Sequence, residues 1–143
     1  MSNITEIQKT IIKDFEVFDN WIEKYEYLID LGKSLPKIKN TYKIDDNIIK
    51  GCQSRVWLYA EKKDEKIVYT ADSDAIMTKG IIALLIKVLS NQKAESIISE
   101  ELTFINTLGI TEHLSPTRAN GLLSMIKQMK LYAIALSKKQ MKQ

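Results

Sequence analysis

The sequence predicts an α+β domain, and two changes of periodicity along the chain carry that reading. Apolar residues recur at helical spacing up to Ile29, alternate between two faces over 54–61, and return to helical spacing from about residue 75 onward. The expected architecture is a small three-stranded antiparallel sheet packed with helices. The elements follow in order. Ile4, Ile7, Ile11, Phe15 and Phe18 mark a first helix, and Trp21, Tyr25, Leu28 and Ile29 a second. Asp19 and Asn20 are candidate turn or N-cap residues between them, and Gly32 and Pro36 close the pair.

Over the middle stretch Ser54, Val56, Leu58 and Ala60 share one face of a strand, with Arg55, Trp57, Tyr59 and Glu61 on the other. The polar KKDEK at 62–66 then turns the chain into IVYTA at 67–71, which makes a hairpin. NII at 47–49 is the expected third strand. Asp72, Ser73 and Asp74 offer N-caps for a helix over about 75–89, whose narrow polar stripe places it at the centre of the core. Two short helices are expected near 93–100 and 102–108. Beyond Gly109, Ser115 is the N-cap and Pro116 the first residue of a long final helix, with Leu122, Met125, Ile126, Met129, Ala133 and Leu136 as its buried stripe.

Composition narrows the function. At 143 residues, 45% hydrophobic and 27% charged, residues 1–143 read as one globular domain. The formal charge of +3 is spread along the chain, with only the terminal SKKQMKQ clustered, so a nucleic-acid partner is not expected. The longest apolar run, IIALLIKVL at 81–89, is too short for a membrane span and contains Lys87. The opening MSNITEIQKTIIKDF does not read as a signal peptide, and a single cysteine suits a reducing cytoplasm.

That cysteine, Cys52, is the first candidate for chemistry. One thiol and one histidine, His113, cannot build a zinc or iron–sulfur ligand set, so no metal is expected. No glycine-rich phosphate loop follows a strand. Gly51 lets the backbone turn tightly at Cys52, and Lys50 and Arg55 bracket the thiol with positive charge that favours thiolate. Apolar neighbours would act the other way. Spacing leaves two readings open: a small packed residue, or a single-thiol centre. His113 is a candidate base for Cys52, which would make a Cys–His thiol transferase or hydrolase the alternative enzyme. Arg118, in the first turn of the final helix, opposes the helix dipole and calls for an anionic neighbour. The acids of DSDA at 72–75 are caps, an acidic edge facing a partner, or both.

Four segments, NWIEKYEYLIDLGKSLP at 20–36, GCQSRVWL at 51–58, DSDAIMTKG at 72–80 and HLSPTRANGL at 113–122, together resemble the SufE/CsdE family of sulfur-acceptor proteins, in that family's order. The similarity runs from about residue 10 to 136. It implies a SufE/NifU-like fold and a cytoplasmic role in iron–sulfur cluster assembly. There the protein would take persulfide sulfur from a cysteine desulfurase (SufS- or CsdA-like), stimulate that enzyme, and pass sulfur to the scaffold complex. Cys52 would be the acceptor, a carrier and activator rather than a stand-alone enzyme. Gly51, Gln53, Ser54 and Arg55 would shape its loop, and Asp74, His113 and Arg118 would face the partner or support the loop. No cofactor is implied for this chain, because pyridoxal phosphate belongs to the desulfurase. Arg55 and Ile76 depart from the family pattern, where glutamine and a small residue are common.

Overall fold

The structure, a computed structural model, describes residues 3–141. Residues 142 and 143, the end of the SKKQMKQ tail, lie outside the described residues. Helices α1 (Ile4–Glu16) and α2 (Trp21–Lys33) lead, by way of 3-10 turns at Asn40–Tyr42 and Asp45–Asn47, into strands β1 (Val56–Lys63) and β2 (Lys66–Ser73). Then come α3 (Ile76–Leu89), α4 (Ala94–Ser99), α5 (Phe104–Leu108), a 3-10 turn at Thr111–His113 and the long α6 (Pro116–Met141). The α+β architecture matches the sequence reading.

The hairpin is antiparallel, with Val56 opposite Ser73, Leu58 opposite Ala71 and Ala60 opposite Tyr69. These pairs share the inward face, and all six residues are buried. Lys63 pairs with Lys66, so Asp64 and Glu65 form a two-residue turn, and both have positive φ, 50° and 69°. That is the backbone of a primed turn, whose twist matches the strands it joins.

The sheet has two strands rather than three. The segment expected to form the third makes one bridge, Ile48 to Trp57, and one backbone bond, Ile49 N–H to the Val56 carbonyl at 2.8 Å. The 3-10 turn at Asp45–Asn47 takes up its first residue and the turn at Gly51 follows closely after its last, leaving no length for a ladder. The outer edge of β2 is covered in the same piecemeal way. Ala71 N–H donates to Pro36 O at 3.1 Å, Ile38 N–H to Ala71 O at 3.2 Å, and Asn91 N–H to Ile67 O at 2.7 Å. Short bridges of this kind use up the donors and acceptors that an open edge would offer another chain.

Helix α3 is the central core element: from Gly80 to Leu89 every residue but Lys87 is buried. It packs chiefly on α2, and two glycines set that approach. A Cβ at Gly80 would stand 2.3 Å from the Leu28 carbonyl oxygen, and one at Gly32 would stand 3.0 Å from the Gly80 nitrogen. Gly32 therefore lies inside α2 as a crossing point, not after its end as a C-cap. Asn20 is the N-cap of α2 and accepts from Glu23 N–H at 2.9 Å, while the Glu23 carboxylate accepts from Asp19 N–H at 3.1 Å. This is close to the reciprocal arrangement of a capping box. On α6, Leu122, Met125, Met129 and Ala133 are buried, with Ile126 and Leu136 packed beside them.

The α3 N-terminus differs from expectation. Ala75 occupies the N-cap position with no side-chain cap. Ser73 Oγ instead accepts from Ala75 N–H at 3.2 Å and donates to Arg55 O at 2.8 Å. Asp72 is held between Lys43 at 2.9 Å and Lys79 at 3.2 Å. Burial raises the Asp72 carboxyl pKa, but hydrogen bonds from Lys43, the Ser73 amide and Lys79 outweigh it and leave the group below its ordinary value. The acids of this segment hold neighbouring segments in place.

Candidate functional site: the Cys52 loop and its cavity

The bond from Ile49 N–H to Val56 O pinches together the two ends of the loop 50–55 that carries Cys52. Gly51 has φ +96°, a conformation L side chains rarely adopt, and a Cβ there would also come within 2.4 Å of Ser124 Oγ. The positive φ calls for glycine, a side chain here would also have to push the Ser124 hydroxyl aside, and the turn aims Cys52 inward against α6. The Cys52 thiol is half-buried and donates to the Gly121 carbonyl at 3.7 Å. Gly121 has no side chain to interfere; a Cβ at that position would lie 3.4 Å from the sulfur.

A cavity of about 320 Å³ opens beside the sulfur. Gln53, Ser54, Thr78, Ser115, Thr117 and Arg118 give it polar walls, while Ile81 and Met125 contribute apolar surface. Burial pushes the Cys52 thiol above its ordinary pKa. The expected thiolate-favouring bracket of Lys50 and Arg55 does not form: both are exposed and neither lines the cavity. Among the described residues, the one cationic side chain that lines it is Arg118.

The structure brings together most of the residues singled out from sequence. Gly51, Gln53 and Ser54 form the loop around Cys52. Asp74 braces it from behind: its carboxylate accepts from Arg55 N–H at 3.0 Å, and its own N–H donates to Arg55 O at 3.3 Å. Ser115 Oγ accepts from Arg118 N–H at 3.3 Å as the N-cap of α6. His113 is placed elsewhere. Its ring stacks on Trp21 with centroids 4.0 Å apart, and its Nδ1 lies 2.8 Å from the Gly109 carbonyl. Tyr25 O–H donates to the His113 carbonyl. The imidazole neither lines the cavity nor bonds to Cys52, so the geometry gives the Cys–His alternative no support. Thr78, Thr117 and Gly121 were not picked out as site residues by sequence reasoning. Their signal was weak, because a threonine or glycine in an apolar helix reads as packing until the loop is seen to dock on it.

The family model for the SufE domain, described as an Fe-S metabolism associated domain, matches residues 9–133. An uncharacterized SufE-like protein of Rhizobium meliloti is 36% identical over 125 residues, covering 84% of this chain and 89% of that protein. SufE-like protein 1 of Arabidopsis thaliana, chloroplastic/mitochondrial, is 40% identical over 130 residues, covering 90% of this chain but 35% of that protein's length. The solution structure of a hypothetical protein from Thermus thermophilus superposes with a TM-score of 0.77, covering 92% of this chain and 96% of its own, at 16% identity, and so supports the fold. The chain belongs to the SufE family, with a role in Fe–S metabolism that involves sulfur transfer.

Proposed function

We propose that Cys52 receives the outer sulfur of a persulfide held by a pyridoxal-phosphate cysteine desulfurase, and that the protein stimulates that enzyme and hands the sulfur to an iron–sulfur scaffold complex. The observation carrying this reading is the position of the sulfur: the chain's single thiol sits on a pinched glycine loop at a cavity large enough for a second sulfur atom. In the transfer, the Cys52 sulfur attacks the outer sulfur of the donor. A new S–S bond forms on Cys52, the donor's S–S bond breaks, its electron pair stays on the desulfurase cysteine, and the Cys52 proton ends there. One persulfide and one thiol give one thiol and one persulfide, with no net oxidation. The chain requires no cofactor of its own for this step.

While the thiol is seated, burial and the Gly121 carbonyl favour its protonated form and keep it from oxidants. Attack requires the sulfur to leave this seat and meet the donor as thiolate. Gly51, Gln53, Ser54 and Arg55 form the moving loop, Asp74 anchors its downstream end, and His113 and Arg118 belong to the partner-facing rim. The test is mass spectrometry after incubation with a cysteine desulfurase and cysteine. Wild-type protein is expected to gain one sulfur atom at Cys52, and Cys52→Ser none, with loss of desulfurase stimulation. Full stimulation by the serine variant would falsify the carrier role.

A further inference from the structure

Two side chains lining the cavity have no hydrogen-bond partner among the described residues. Thr78 is only 7% exposed and lines the cavity, yet its hydroxyl makes no hydrogen bond among the described residues, and its oxygen stays open to the cavity space. The side chain is thus held rigidly in the wall while its oxygen remains accessible, able to donate to whatever enters the cavity. Arg118 is exposed, but unlike Lys50 and Arg55 it lines the cavity; its guanidinium has no carboxylate or other acceptor among the described residues, and it stands in the first turn of a helix whose dipole disfavours a cation. Among the described residues no Asp or Glu lines this space, whereas Ser54, Ser115 and Thr117 add hydroxyls and Gln53 an amide. At about 320 Å³ the cavity is far larger than one sulfur atom needs and falls within the range of about 300–1,000 Å³ typical of small-ligand sites.

We propose that this cavity binds a small inorganic oxyanion, of the sulfate and phosphate class, between the Arg118 guanidinium and the Thr78 hydroxyl, next to Cys52. Arg118 supplies the charge and the forked donors that suit such an anion, Thr78 supplies a hydroxyl donor fixed in the wall, and the α6 N-terminus adds its dipole. The bound anion lies against Cys52 Sγ, so it shields the sulfur and its charge opposes formation of the thiolate. The site forms beside the free Cys52 thiol and does not depend on Cys52 carrying sulfur.

The test titrates the purified full chain with sodium sulfate and with sodium phosphate, against sodium chloride at matched ionic strength. It follows backbone amide NMR signals and the rate of Cys52 alkylation by iodoacetamide. Saturable shifts at Thr78, Arg118 and Gly121, with slower alkylation, are expected for the oxyanions and not for chloride. Thr78→Val keeps the side-chain shape and should weaken binding about fivefold, and Arg118→Gln about tenfold or more, from the loss of one neutral and one charged hydrogen bond. Cys52→Ser should retain the shifts, which separates this site from the sulfur-carrier reading. Equal effects of chloride and oxyanions, or unchanged binding in both Thr78→Val and Arg118→Gln, would overturn the proposal. If phosphate binds and sulfate does not, the oxyanion class narrows to phosphate and the site is upheld.

Discussion

Gly121 and Cys52 stand 69 residues apart in sequence, and their contact shows how single atoms set the behaviour of this thiol. Gly121→Ala places a methyl where only 3.4 Å separates Cβ from Sγ. At that distance the methyl makes ordinary van der Waals contact with the sulfur and fills open space beside it. The expected result is Cys52 alkylation slower than wild type, with its pH midpoint at or above the wild-type one, because the methyl deepens the burial that already raises the thiol. Helix propensity gains up to about 1 kcal/mol from the added methyl, so overall stability should hold or rise slightly. An unchanged alkylation rate would mean that the seat does not control the thiol. Tyr27 offers a second residue-scale measurement. Burial first, then the charge and hydrogen bond of Asp14, push its phenol from 10.0 to about 12. The folded value lies above the unfolded one, so its stabilising effect is complete below pH 10.0 and disappears as pH rises through about 12. Urea unfolding between those limits should show stability falling with pH, and Tyr27→Phe should lessen the slope. Identical slopes in the two proteins would assign the effect to other groups.

Among the elements, the α2–α3 crossing is the least tolerant of change. Gly80→Ala drives a methyl to 2.3 Å from a backbone oxygen of α2, which cannot rotate aside as a side chain would. A cost of about 1–3 kcal/mol is expected from overpacking, despite the better helix propensity of alanine. A chemical denaturation curve with an unchanged or raised midpoint would contradict this. The helices and hairpin were legible because each repeats its own period: Phe15, Leu28 and Ile81 mark helical faces, while Val56, Leu58 and Ala60 mark a strand. Ile48 and Ile49 read as a strand in sequence, since β-branched residues favour extended backbone, but they say nothing about the turns that clip the segment at both ends. The same limit applied to the site. Cys52 was legible through the segments around it, and the acids at 72 and 74 through residue type. Yet the bond between Asp74 and the Arg55 amide, and the walls made by Thr78, Thr117 and Gly121, depend on α3 and α6 meeting the loop. No local pattern encodes that meeting.

For the molecule as a whole, α6 is the element that joins the layers. Tyr69 of β2 donates its hydroxyl to Met129 O at 2.6 Å, and Tyr132 of α6 donates to Leu58 O of β1 at 2.9 Å. Lys130 reaches Glu100 O at 3.0 Å, just past the end of α4. The helix that begins beside Cys52 is therefore bonded to both strands and to the α4 end. Tyr132→Phe should cost about 1 kcal/mol, read as a lower denaturation midpoint with an unchanged denaturant slope. A changed slope would instead point to a looser folded or unfolded ensemble. The hairpin turn has a different kind of consequence. Asp64 and Glu65 both hold positive φ without being glycine, and a left-handed residue of this kind carries about 1–2 kcal/mol of local strain. Relieving it with Asp64→Asn and Glu65→Gly would speed refolding if the two strands meet early on the folding route, and would only slow unfolding if they meet late. Two residues far from Cys52 thus offer a clock for the order in which this chain assembles.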